Sequence, residues 1–370
     1  MNKTEKIHEP LFHISRRKTI ETWKAVLIRA ITIIAALIVC AVLIVILTGE
    51  NPLKIYKSMF LGAFGTKRRI WNLLQSIAIL LCISLAITPA FRMKFWNCGA
   101  EGQVLIGGLA SVVCMIYVGE ALPTWLLFIV MTLASIAGGI VWTLIPAIFK
   151  ARFNTNETLF TLMMNYIAIQ LVSFCIKTWS LDSSIVKTLG SGILPAMPQY
   201  GFPALFGQKF LINVIVVAVI TVIMYIYLKY SKHGYEIAVV GESEKTARYI
   251  GINVKKVIVR TMILSGALCG IAGVLLVAGT DHTISTETVG GRGFTAIMVS
   301  WLGKFNPIFM VLTTFLICFL EKGASQISTD FRLDTSLSDI MTGVILFFII
   351  GCEFFINYKI NFRKSEKEAK

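Results

Sequence analysis

Apolar runs of about 18 to 20 residues recur from near one end of the chain to the other, and a helix of that length is what crosses a hydrocarbon core about 30 Å thick. Few folds can absorb that much unbroken apolar chain. The sequence is 56% hydrophobic and only 15% charged, against about 25% charged in soluble domains. No segment sustains the short apolar/polar alternation that a membrane-spanning strand needs. The expected fold is an all-α integral membrane protein. Its roughly ten hydrophobic helices are placed near residues 30–48, 70–90, 103–118, 122–149, 159–177, 210–230, 261–280, 293–302, 307–327 and 340–358. The eighth is too short to span and reads as half of a broken or re-entrant helix.

Lys and Arg are retained on the cytoplasmic side of a membrane, and here they cluster in alternate connections. Arg16 to Lys24, Arg92 and Lys94, Lys150 and Arg152, Lys229 to Arg260, Lys304, and Lys359 to Lys370 would all be cytoplasmic if the N-terminus is inside. Lys67, Arg68 and Arg69 run against the pattern. The expected organisation is a cytoplasmic tail over 1–24, a membrane domain over 25–358 containing a cytoplasmic loop at 229–260, and a second cytoplasmic tail over 359–370. The first run is read as a span, not a cleaved signal, because its apolar core is too long and "LIVILTGEN" is a poor cleavage site. A net charge of +15 reflects these retained basic loops and points away from nucleic acid.

Several chemistries find no support. The eight cysteines are scattered, mostly inside apolar runs, without disulfide or metal spacing. His8, His13, His233 and His282 fall in tails and loops and are expected to be solvated, so no catalytic or metal site is expected. No G-x-x-x-x-G-K-[ST] phosphate loop is present, so ATP-driven transport would need an ATPase on another chain.

One polar peptide is out of place. "GESEKTARYIGINVKK" (241–256) separates two long apolar runs. Ser243 suits a helix N-cap, Glu244 and Arg248 an i,i+4 ion pair, and Gly251 a left-handed C-cap. Two helical turns are marginal alone in water, so Ala247 and Ile250 are expected to pack against something. The physics leaves two readings open, a loop lying on the bilayer and a helix docked to a cytoplasmic partner.

Polar residues inside spans are costly and tend to face a cavity or a partner helix. In "NETLFTLMMNYIAIQ", Glu157, Thr161 and Asn165 recur every four residues and share one helix face. That stripe either lines a pathway or glues helices together; near the helix start, Asn156 and Glu157 suit gating or capping. In "NCGAEGQ", Asn97, Glu101 and Gln103 surround Gly99 and Gly102, which break a helix, and "GGRGF" around Arg292 is the counterpart in the second half. Paired Gly-interrupted elements point to two inverted repeats with a central pathway. In "NPLKIYKSMFLGAFG", Leu53, Tyr56, Phe60 and Ala63 are expected to form the apolar face of a helix on the outer surface.

The stretch "GESEKTARYIGINVKKVIVRTMILSGALCGIAGVLLV" resembles ABC importer permeases of the branched-chain amino acid and simple-sugar group, with the nucleoside (guanosine) uptake permeases most alike. "FRMKFWNCGAEGQVLIGG", "KARFNTNETLFTLMMNYIA" and "GRGFTAIMVSWLGKFNPI" follow the same family in the same order. The resemblance implies a coupling helix seated in a groove of an ATPase subunit, carried onto Glu242, Ala247, Arg248, Gly251 and Ile252. It favours a pathway role for Thr161 and Asn165. It further implies an extracellular substrate-binding (lipo)protein, a second permease, identical or homologous, and a bacterial plasma membrane. ATP and Mg would bind the ATPase, leaving this chain without a cofactor. A sugar or branched-chain amino acid is the alternative cargo. An ATP-independent secondary transporter would need buried charges for coupling, of which Glu101, Arg292 and Glu321 are among the few.

Overall fold

The computed structural model describes residues 12–16, 21–49, 51–181, 194, 197–332 and 335–362. The expected tails lie largely outside them, as do residues 182–193, 195 and 196 of the long connection that follows residue 181. A short strand β1 (Phe12–Arg16) precedes α1 (Thr22–Thr48), α2 (Pro52–Phe64), α3 (Lys67–Arg92), α4 (Ala100–Val118), α5 (Thr124–Phe153) and α6 (Glu157–Leu181). There follow α7 (Leu211–Tyr230), α8 (Lys232–Glu242), α9 (Glu244–Tyr249), α10 (Val254–Leu276), α11 (Arg292–Leu302), α12 (Pro307–Phe331), α13 (Thr335–Asn357) and a strand β2 (Tyr358–Phe362). Each of the ten expected apolar segments coincides with one helix. Among the described residues, seven helices are long and apolar enough to span, and α1 and α13 carry shorter apolar stretches. At 11 residues, α11 is too short to cross a bilayer.

The chain divides into two compact units. One comprises 1–65 and 320–370, the other 66–319. In the first, α1 packs along α13, the Cys40 thiol meeting the Met341 carbonyl at 3.8 Å, and β1 pairs antiparallel with β2, Phe12 opposite Phe362. The short ribbon was not expected, and the alternation in "FHISR" and "YKINF" accounts for it. On α2, Ile55, Ser58, Met59 and Ala63 are buried within the unit, while Leu53 and Phe60 of the expected apolar face are 75% and 57% exposed. Ser58 donates to the Asp330 carboxylate at 2.5 Å, and Gly62 allows Gln326 so close that a Cβ would lie 2.4 Å from it. A polar contact and a close approach, not hydrophobicity alone, turned the helix.

In the second unit, α10 is the central column, packed on α5, α4 and α3. Small residues permit this. A Cβ on Gly139 would fall 2.2 Å from the Gly266 carbonyl, and one on Gly270 2.3 Å from that of Ser135. The Ser135 hydroxyl sits between the carbonyls of Gly107 and Gly270, at 2.7 and 2.6 Å. In lipid, where water gives little drive between helices, such backbone-to-backbone packing supplies the association. Gly139→Val therefore forces helices apart and is expected to cost at least the roughly 1–3 kcal/mol of ordinary overpacking. Gly343→Ala, on α13 with no atom within 4 Å, is expected to be neutral or stabilising by up to about 1 kcal/mol. Thermal unfolding of the detergent-purified protein distinguishes the two.

Candidate functional site

The connection from α3 to α4 is a broken helix. Phe95 N–H donates to the Ala90 carbonyl at 2.9 Å and Lys94 N–H to that of Phe91 at 2.9 Å, the pair of bonds that closes a Schellman cap. Lys94 holds the left-handed position, φ 62°, that glycine usually fills. Residues 95–99 are then non-helical, and their backbone groups need partners. Asn97, fully buried, forms a ring of side-chain bonds with Gln103. Its Oδ1 accepts from Gln103 Nε2 at 2.9 Å and from Gly99 N–H at 3.2 Å, and its Nδ2 reaches Ser265 Oγ at 3.2 Å.

The polar stripe of α6 meets the same break. Thr161 Oγ1 accepts from Cys98 N–H at 3.1 Å. Asn165 Oδ1 accepts from Gly102 N–H at 2.9 Å while its Nδ2 donates to the Cys98 carbonyl at 2.9 Å. Both side chains are buried against α4. Gly99 and Gly102 allow the approach, since a Cβ on either would lie about 3.1 Å from α6 atoms. Glu157, at the start of the stripe, pairs instead with Lys150 at 2.8 Å, both largely buried, and Asn156 caps the helix through Leu159 N–H at 3.2 Å.

Glu101 joins the two Gly-interrupted elements. Its carboxylate accepts from Gly291 N–H and Gly293 N–H, both at 2.8 Å, where α11 begins. This is a charge-assisted pair at a helix N-terminus. The glycines are required: Gly290 and Gly291 have φ of 61° and 75°, and a Cβ on Gly293 would lie 2.5 Å from the Glu101 nitrogen. Arg292, half-buried, donates to the Thr288 carbonyl at 3.4 Å. Further on, Ser300 Oγ donates to the Ser84 carbonyl at 3.0 Å, fixing α11 on α3. Trp301 stacks on Trp96 at 5.7 Å between ring centres.

The charged peptide folds as two helices meeting at Ser243, which caps α9 by accepting from Thr246 N–H at 3.3 Å. The expected features are present: Glu244 and Arg248 pair at 3.4 Å, and Gly251 has φ 84°. Ala247 is fully buried and Ile252 packs beside it, in a cluster with Ala90, Met93, Phe95 and Met262. Glu242, Arg248 and Gly251 are exposed. Of the two residues expected to pack, Ala247 does so within the chain and Ile250 does not. The helix ends at Tyr249, so Ile250 leaves the Ala247 face and is 51% exposed, next to Tyr249 at 92%. The helix α8 was not anticipated; its Glu236 binds Arg260 at 2.7 Å, and that guanidinium, with His233 beside it, holds the carboxyl below the ordinary glutamate range.

A third polar cluster escaped the sequence reading. At the end of α10 the chain makes a π-turn, Val277–Asp281, a feature that often marks functional sites. There buried Asn213 donates to Gln75 Oε1 at 3.0 Å and to the Leu275 carbonyl at 3.2 Å, and Gln75 donates to Thr280. Two isolated amides and a threonine in separate elements carry no sequence pattern. Contrary to expectation His282 is half-buried, its Nδ1 enclosed without a partner, and burial pushes its pKa down. Among the described residues no His, Cys, Asp or Glu group could hold a metal.

Replacing Asn165 by Leu leaves Gly102 N–H and the Cys98 carbonyl buried without partners, at about 1–3 kcal/mol each. Asn165→Leu is expected to lower the thermal midpoint markedly, whereas Tyr166→Leu, at a 66% exposed site, leaves it nearly unchanged.

Comparison with known proteins agrees with this architecture. A family model described as "Branched-chain amino acid transport system / permease component" matches residues 69–350. The guanosine ABC transporter permease protein NupP of Bacillus subtilis is 30% identical, over 83% of this chain and 88% of its own length. The glucose ABC transporter permease protein TsgB13 of Haloferax volcanii is 27% identical over 93% and 92%. The nucleoside ABC transporter permease protein NupB of Lactococcus lactis is 27% identical over 88% and 91%. The chain belongs to the branched-chain amino acid transport system permease family, the membrane-spanning subunits of ABC transporters.

Proposed function

We propose that the chain is the permease of a nucleoside importer and that α8 and α9 couple it to an ATPase subunit. The supporting observation is the apolar cluster beneath these helices. It joins Ala247, Ile237 and Val240 directly to Met93 and Phe95, which border the broken segment carrying Asn97. An exposed pair, Tyr249 and Ile250, stands at the tip where a partner would dock, flanked by Glu242 and Arg248. Closure of the ATPase dimer would press on this tip and move the cluster as a body, displacing the α3–α4 break. ATP and Mg stay on the partner; this chain transmits the displacement and conducts the solute.

In this reading the basic connections, including α8 and α9, face the cytoplasm of a bacterial cell, with both termini inside. A second permease, identical or homologous, completes the pathway, and an extracellular binding lipoprotein delivers the solute near α2 and the connection before α7. Asn97, Glu101, Gln103, Thr161, Asn165 and Arg292 hold the two helix breaks that border the route, and Glu157 anchors the α5–α6 turn. Two nucleoside-permease relatives at 27–30% identity support the cargo. A sugar is the second reading, supported by the glucose-permease relative at 27% identity.

In the assembled transporter, guanosine presented by the binding protein is expected to raise ATP hydrolysis while glucose leaves it at the basal rate; stimulation by glucose alone would transfer the assignment to the second reading. Tyr249→Ala with Ile250→Ala is expected to leave insertion and thermal midpoint intact while reducing solute-stimulated hydrolysis and uptake at least tenfold. Gly251→Val, which forces a β-branched residue into φ 84° at a cost of about 1–2 kcal/mol, is expected to uncouple in the same way. Uptake unchanged in both variants would disprove the coupling role.

A further inference from the structure

Beside the α8–α9 pair, the ends of α3 and α7 and the turn from α11 to α12 enclose a cleft of about 320 Å³. Arg92, Lys229 and Lys304 line it, together with Tyr225 and Asn306, and among the described residues no acidic one does. We propose that this cleft is a binding site for a phosphate-bearing anion, the headgroup of an anionic phospholipid or free phosphate.

The cations are held in place. Arg92 Nη1 donates to the Leu228 carbonyl at 3.0 Å, one of five guanidinium donors, so that the plane is fixed on the cleft wall. Lys229 Nζ is anchored by Tyr225 OH at 2.9 Å and lies over the Tyr225 and Tyr230 rings at 5.2 and 5.3 Å. A loop whose basic residues merely satisfy the charge rule for membrane topology needs no such fixing. The third cation sits on unusual backbone. Lys304 and Phe305 both adopt left-handed φ, 50° and 56°, conformations costing a non-glycine residue roughly 1–2 kcal/mol. The cap itself, Phe305 N–H to Ser300 and Lys304 N–H to Trp301, both at 3.0 Å, would form more easily with glycine at the left-handed position. Asn306 caps α12 through Ile308 N–H at 3.1 Å, so the positive end of that helix borders the same cleft.

Phosphate is the anion that suits three convergent cations and a helix N-terminus. The cleft lies where three helices end, with Tyr225 and Tyr230 beside it, amphipathic aromatic residues of the type enriched at membrane interfaces. Basic pockets between helix ends take such headgroups. The inference goes beyond the transport reading and does not depend on which solute is carried.

The test uses full-length chain extracted with its accompanying subunits in mild detergent. Native mass spectrometry reads retention of dioleoyl phosphatidylglycerol against dioleoyl phosphatidylcholine, and thermal shift reads the response to inorganic phosphate. Wild type is expected to retain the anionic lipid selectively, and Lys229→Gln with Lys304→Gln to weaken it about 25-fold, roughly fivefold per lysine. Lys255→Gln with Lys256→Gln, exposed lysines away from the cleft, is expected to leave retention unchanged. A phosphate-dependent shift lost in the cleft variant, without lipid selectivity, would identify free phosphate as the occupant. Equal lipid retention and equal phosphate response in wild type and cleft variant overturn the proposal. So does an equal loss in both double variants, which would reflect net charge alone. Loss of the ATPase subunit from the cleft variant with lipid retention unchanged also overturns it, making the cleft a protein-docking face.

Discussion

Backbone that leaves the helix inside a membrane has no water to bond with, so every freed N–H and C=O must find a protein partner. The second unit is organised around that demand. The break at 95–99 and the first turn of α4 expose Cys98, Gly99 and Gly102, whose N–H groups donate to Thr161, Asn97 and Asn165 respectively. The start of α11 exposes Gly291 and Gly293, and the Glu101 carboxylate answers both. Because the side chains that satisfy one break come from the break itself and from α6, and the one that satisfies the other comes from α4, neither break can shift without disturbing the rest. Interruptions that would normally weaken a helix have become the points at which α4, α6 and α11 are tied.

Much of this was legible because hydrophobic length leaves a strong signal: all ten apolar segments correspond to helices. Local chemistry was equally plain at Ser243, Glu244, Arg248 and Gly251, where cap, ion pair and left-handed turn are functions of a few adjacent residues. The pairing of Glu101 with Gly291 was beyond reach, since the partners are 190 positions apart and only the fold brings them together. The periodicity of Glu157, Thr161 and Asn165 revealed a shared face but not its target. Thr161 and Asn165 turn toward α4, whereas the face presenting Met163, Tyr166 and Ile167 is the exposed one. The packed side of α2 was hidden for a similar reason: Ser58 and Gly62 are unremarkable in sequence, and they orient the helix only through Asp330 and Gln326.

The ends of α3 and α11 share a local design. Each is closed by a cap in which a lysine takes the left-handed position and a phenylalanine follows, Lys94–Phe95 after α3 and Lys304–Phe305 after α11. An asparagine comes shortly after each, Asn97 and Asn306, and Trp96 and Trp301 stack across the pair. One strained cap thus closes both helices. Its cost of roughly 1–2 kcal/mol per left-handed side chain is met twice over, by the stacking and by the buried neighbours of Phe95.

This arrangement bears on how a push at α9 could become an opened route. A soft connection would dissipate displacement, but Ala247 is fully enclosed and Gly241 lies so close to the end of α3 that a Cβ would sit 2.1 Å from the Arg92 carbonyl. The α8–α9 pair therefore has little room to move without carrying Met93 and Phe95 along. What resists is the set of polar ties beyond, and those are discrete: the Glu101 carboxylate either holds Gly291 and Gly293 or it does not, and Asn165 either reaches Cys98 or it does not. Bonds of that kind, in a medium where a lost partner costs about 1–3 kcal/mol, favour two defined arrangements over a continuum. A permease that must face one side of the membrane and then the other needs that property, and here it arises from the same requirement that ties the helices together.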